Sequence, residues 1–151
     1  MKRLQKYVAR IALATSISAT IVLGAPSAAQ AGTCTSQGCG GEVSNNSGMS
    51  IRITNCWRDS YGVWENGDKL SCVTHPNSWS YYNADVELPV GGWSSNHYYY
   101  YDTDAIRFYK GCVTRYHFWG GSIQTEDRRG KDSIWRKIYD VNHVYIDSIS
   151  C

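Results

Sequence analysis

The stretch Met49-Ser50-Ile51-Arg52-Ile53-Thr54 sets the period in which the chain is read. Met49, Ile51 and Ile53 alternate with Ser50, Arg52 and Thr54, the two-residue repeat of a strand with one face buried and the other wet. A polar turn follows at Arg58-Asp59-Ser60, then a short strand candidate at 61–64. Asn66-Gly67 is a hairpin signal, and 69–74 reads as the returning strand. His75-Pro76-Asn77-Ser78 breaks the chain, and 84–88 reads as the next strand. Residues 91–97 read as a long loop. Tyr98-Tyr99-Tyr100-Tyr101 leads into Asp102-Thr103-Asp104, a turn of residues that bond their own backbone. Further strands are expected at 106–109, 112–119 and 134–139, with a turn region bracketed by Gly120-Gly121 and the charged run 126–132. The last strand, 143–149, places Val144, Ile146 and Ser148 on one face. Seven or eight short strands at roughly 10-residue spacing predict an all-β, antiparallel β-sandwich or small barrel over residues 49–151.

Composition agrees with strands. After residue 31 the chain has six Trp, eleven Tyr and two Phe, but only Leu70 and Leu88 among leucines. Aromatic and β-branched side chains suit a pleated surface, whereas a helical bundle would need leucine.

Upstream of the β-domain lie two segments of different character. Residues 1–31 carry Lys2, Arg3, Lys6 and Arg10, then an apolar stretch from Ile11 to Gly24, then Ala29-Gln30-Ala31. That is the layout of a secretory signal peptide, too short in its apolar part to span a bilayer. A secreted protein with no membrane segment after cleavage is expected. Cleavage removes four of the 15 basic residues and none of the 13 acidic ones, leaving 11 against 13. A chain without a basic field is a poor general binder of phosphate backbones, so no nucleic acid partner is expected.

Residues 32–48 hold one large apolar side chain, Val43, and read as a flexible N-terminal arm outside the core. Within it, Thr33-Cys34-Thr35-Ser36-Gln37-Gly38-Cys39-Gly40-Gly41 carries two of the six cysteines. The others are Cys56, Cys72, Cys112 and Cys151. An even count in a small exported chain predicts a disulfide framework. Six cysteines allow 15 pairings. Spacing ranks 34–39, 56–72 and 112–151 first and leaves the others open. A bridge inside the arm shapes a small loop, either for presentation to a partner or merely against proteolysis.

No catalytic motif stands out. His75, His97, His117 and His143 lie at no metalloprotease spacing, and neither a nucleophile elbow nor a phosphate loop is present. No enzyme activity, cofactor or metal is expected. Asn45-Asn46-Ser47 matches the glycosylation triplet, a pattern common by chance. Trp93, Tyr98, Tyr99, Tyr100 and Tyr101 are candidate surface aromatics, suited to a sugar or a protein partner; other rings must fill the core.

The signal segment, the cysteine-bearing arm, Ile51-Arg52-Ile53, Asp102-Thr103-Asp104-Ala105-Ile106-Arg107-Phe108, Gly111-Cys112 and the terminal Cys151 together resemble the small secreted adaptor subunit of bacterial umbrella toxin particles. The resemblance implies a non-enzymatic adaptor in interbacterial competition. Its arm, 33–41, would insert into a cleft of a secreted lectin subunit. Its β-domain would hold the repeat ring of a large toxin-bearing subunit. A secreted carbohydrate-binding module and a small secreted protease inhibitor are the alternatives.

Overall fold

The computed structural model describes residues 34–151. The expected signal peptide and Thr33 lie outside the described residues. The described chain is all-β with ten strands: β1 Glu42–Asn45, β2 Ile51–Thr54, β3 Trp64–Asn66, β4 His75–Pro76, β5 Ala84–Leu88, β6 Ala105–Phe108, β7 Val113–Phe118, β8 Gln124–Asp127, β9 Ile134–Lys137 and β10 His143–Ser150. They form a four-stranded sheet, ordered β1-β10-β7-β8, and a six-stranded sheet, ordered β3-β9-β6-β2-β5-β4. Neither closes into a barrel.

The founding alternation holds. Ile51 and Ile53 are fully buried in β2, while Arg52 points outward to Asp85, Glu87 and Asn77. Ile53 sits opposite Val86 on one side and Ile106 on the other. Across from them Val43, Val144, Ile146 and Tyr116 of the smaller sheet complete one core with Leu88, Phe108 and Ile134. A fully buried side chain of this size contributes about 1.5–3 kcal/mol of transfer free energy.

Four expectations need correction. The arm ends earlier than residue 48. Residues 42–45 are β1, pairing in parallel with β10, and Val43 is wholly buried. One apolar residue suffices because the rest of the segment is held by backbone pairing: Thr103 N–H bonds Gly41 C=O at 2.7 Å, and Asn45 N–H bonds Gly92 C=O at 2.9 Å. Next, the sheets are mixed rather than purely antiparallel. β1 meets β10 across almost the whole sequence, so no hairpin sets its direction. β4 and β5 also run parallel, joined by a loop that reverses twice through the left-handed Asn77 and Asn83.

The Asn66-Gly67 turn, third, does not fold 69–74 back as a strand. β3 pairs instead with β9. The segment from Cys56 to Val73 packs Cys56, Leu70, Cys72 and Val73 against Ala105 and Trp135, on the opposite face of the large sheet from Ile106 and Ile134. This excursion buries Trp135 completely and is closed by the Cys56–Cys72 bridge. Finally, Ser148 is exposed. A bulge between Ile146 and Ser148 swaps the faces, so Ile149 packs against the core instead.

Three disulfides join Cys34 to Cys39, Cys56 to Cys72 and Cys112 to Cys151. The set belongs to an oxidising environment. Among the described residues no helix is long and apolar enough to cross a membrane.

Candidate functional site

The Cys34–Cys39 loop stands at the entrance of β1. Thr35, Ser36, Gln37, Gly38 and Cys39 are exposed, whereas Gly40 and Gly41 are buried. Gly38 takes a left-handed turn at φ 78°, a conformation glycine adopts at no steric cost. A side chain on Gly40 would overlap the backbone of Asp102, and one on Gly41 would strike the Thr103 carbonyl. The two glycines therefore let the chain lie flat on the 102–103 segment. Gly41 N–H also donates to Asp102 Oδ1 at 3.2 Å. Gln37 Nε2 donates to the Ser95 carbonyl at 2.8 Å, and Gly38 N–H donates to Glu42 Oε1 at 2.8 Å. An exposed disulfide loop is thus fixed to the domain at its base.

Beside the loop lies the outer face of the small sheet. Its outward residues on β10 are His143, Tyr145 and Asp147. His143 stacks on Tyr145 at 4.3 Å between ring centroids, and Tyr145 stacks on His117 of β7 at 4.9 Å. Trp93 lies over His143 at 5.7 Å, and Trp119 approaches it edge-on at 6.0 Å. His117 Nδ1 and Asp147 Oδ2 are 2.9 Å apart, with Asp147 turned to its partner by the bulge.

His143 is the centre of the array. Its Nδ1 faces Glu42 Oε2 at 3.3 Å, and its Nε2 meets Ser44 Oγ at 2.9 Å. Burial pushes its pKa down, and His117 adds to that; the Glu42 carboxylate opposes both without cancelling them. Asp102, under the loop, is pushed up by burial, and its bond from Gly41 N–H offsets this in part.

Between the Cys34–Cys39 loop and the Trp119 turn opens a cleft of about 190 Å³, whose walls include Gly38, Gly40, Glu42, Trp119, Asp140 and His143. Trp119 is 76% exposed, the most exposed ring of the domain.

The expected surface aromatics are scattered rather than gathered. Trp93 and Tyr98 are exposed, and Tyr99 and Tyr101 are half-buried. Tyr100 is fully buried, which corrects its place among the surface candidates. Tyr98–Tyr100 is a turn of 3-10 helix rather than a strand, so the third ring swings inward and its hydroxyl donates to the Ser78 carbonyl. Trp93 alone of that set belongs to the histidine face. Sequence reasoning missed His143, His117, Glu42, Trp119 and Asp140. The signal was present for one of them: an inward Val144 and Ile146 put His143, with Tyr145, on the opposite face.

Fold and site together define a small, disulfide-stapled β-sandwich presenting an anchored loop beside an aromatic, acidic cleft. No protein-family model, no curated protein and no solved structure matches this chain.

Proposed function

We propose that this protein is a secreted, non-enzymatic adaptor of an antibacterial toxin complex. The Cys34–Cys39 loop engages a secreted lectin subunit, and the β-domain engages the repeat ring of a large toxin-bearing subunit. The observation that carries this reading is the loop itself. It is exposed from Thr35 to Cys39, closed by a disulfide, and anchored through Gly40 and Gly41. Such a loop contributes little to a core, but presents a preorganised surface at low entropic cost on binding. The sandwich behind it supplies a second surface, as linking two partners requires.

The test is purification from the native producer's culture supernatant, without reductant, through a C-terminal tag. A lectin and a large repeat-containing protein are expected to accompany the intact chain. Deleting 34–39 should lose the lectin and keep the large protein. Recovery of the chain alone sinks the reading.

One array favours a second reading. Ser44, His143 and Glu42 stand in the order of nucleophile, base and orienting carboxylate, with Ser44 Oγ hydrogen-bonded to His143 Nε2 and Glu42 Oε2 at 3.3 Å from its Nδ1. Trp93 and Tyr145 both stack on that imidazole, and Ser44 is bridged to Trp93 along the strand edge. On the adaptor reading the array is cross-strand bonding. A fluorophosphonate probe should then leave Ser44 unmodified, as read by peptide mass spectrometry. A stoichiometric adduct lost in His143→Gln would establish acyl-transfer chemistry instead.

A further inference from the structure

The cleft beside the loop has a composition that selects its occupant. Two carboxylates, Glu42 and Asp140, line it, and no lysine or arginine does. Its histidine is held toward the neutral form by burial. Glu42 is buried and already accepts from Gly38 N–H, while Asp140 is exposed at the mouth. The Trp119 indole also lines it, carried on a backbone held by the main-chain Trp119 N–H bond to the His143 carbonyl at 2.9 Å and by the following turn, Gly121 N–H to Phe118 C=O at 2.8 Å. An anion is repelled here. An apolar group gives Asp140 no partner, whereas Glu42 already has Gly38 N–H and His143. A cation satisfies both walls, since an indole face attracts positive charge and the carboxylates neutralise it.

We propose that the cleft receives an arginine side chain of the protein that docks on the Cys34–Cys39 loop. A guanidinium is planar, so it stacks on Trp119 and still presents paired N–H donors to Asp140. Its apolar stem lies along Val141, which is 94% exposed and has no other cover. A volume of about 190 Å³ admits one side chain. Because Gly38 and Gly40 form one wall, a partner that touches the loop is already within reach of the cleft. The inference rests on the reading of that loop as a protein-docking element.

The test uses the mature, oxidised, ¹⁵N-labelled chain. The Trp119 indole N–H resonance is assigned by its loss in Trp119→Phe. N-acetyl-arginine amide is titrated to about 50 mM, a range that covers the roughly millimolar affinity of one side chain alone. A saturating shift at Trp119 and at the 140–142 amides is expected. Asp140→Asn should weaken it roughly fivefold, and added salt should weaken it further. Methyl glucoside at the same concentration should leave these resonances in place. No shift with the arginine amide overturns the proposal, and so does an equal shift with the glucoside. An equal response to N-acetyl-lysine amide overturns the assignment of a guanidinium.

Co-purification separates this inference from the adaptor reading. If the arginine amide binds but no lectin accompanies the chain, the adaptor reading fails and the cation cleft stands. If the lectin is retained undiminished by the folded Asp140→Asn and Trp119→Ala variants, the cleft proposal fails and the adaptor reading stands.

Discussion

Asn45 closes β1 with its whole carboxamide in use. Its Nδ2 donates to the carbonyls of Met49, Leu88 and Pro89 at 2.9, 3.1 and 3.1 Å. Its Oδ1 accepts from Ser47 N–H and Ser47 Oγ–H. The side chain is fully buried, so the nitrogen that a glycan would need is occupied inside the fold. This one residue ties the end of β1 to β5 and to the turn before β2. Removing it takes this partner from the buried Leu88 carbonyl and the buried Ser47 N–H, each unpaired group costing about 1–3 kcal/mol, while the Met49 and Pro89 carbonyls keep Ser47 Oγ–H and Gly92 N–H. Asn45→Ala is therefore expected to lower unfolding stability by about 3 kcal/mol in urea, with the denaturant slope unchanged. A loss below about 1 kcal/mol would show that water replaces the bonds. Arg136 is a second residue whose role only the structure reveals. Its guanidinium lies over Trp64, Tyr116 and Phe118 at 5.0, 5.1 and 4.8 Å. Burial lowers its pKa.

At the scale of elements, the three disulfides do different work. The Cys34–Cys39 bridge closes a surface loop whose base is held by other bonds, so it shapes that loop without stapling the sandwich. Cys56–Cys72 closes the excursion that covers Trp135. Chain-entropy reasoning gives a loop of this length about 3 kcal/mol. The double change Cys34→Ser with Cys39→Ser should leave the thermal midpoint within about 2 °C of the parent, while Cys56→Ser with Cys72→Ser should lower it by about 10 °C or more. Equal losses by calorimetry would mean that the loop is part of the cooperative core.

This division explains what was legible in sequence. Strong two-residue alternation gave β2 and β9, and the 84–88 strand was found with its observed bounds. The cysteine pairing ranked first by spacing is the one present. The excursion was misread because Asn66-Gly67 has the chemistry of a hairpin turn, yet Asn66 has its partner in distant Ile134. β1 was missed because a strand held by backbone bonds and one valine has no periodic signal. The histidine face needed the pairing of β10 with β7 before His117 could be placed beside Tyr145. The cleft needed three loops from separate parts of the chain, which no local pattern encodes.

For the whole molecule, the two sheets share one core and the C-terminus is pinned to the β7 entrance by Cys112–Cys151. Where they meet the loop, acidic groups are buried. Asp102 lies under the 40–41 crossing, and nearby Asp104 is buried with its Oδ2 lacking a hydrogen-bond partner. Burial first, and Asp102 second, push its pKa well above the ordinary carboxylate range, with Lys137 opposing. The folded state then holds a proton that the unfolded chain releases as pH rises above about 4. Asp104 therefore opposes folding at neutral pH, and the penalty fades as pH falls through the raised folded value toward the unfolded one. His143 works in the other sense. Its lowered folded pKa means that the unfolded chain takes up a proton first, so stability drops as pH falls below about 6.5. The isosteric Asp104→Asn removes the first effect and leaves the second. Its stability by urea unfolding should exceed the parent's at pH 7.5 and converge with it toward pH 4, with the histidine-linked loss near pH 6 kept in both. A variant less stable than the parent at pH 7.5 would mean that the charged carboxylate is matched by Lys137 in the folded state. The buried acid would then be half of an ion pair with Lys137 that stabilises the fold rather than a burden on it.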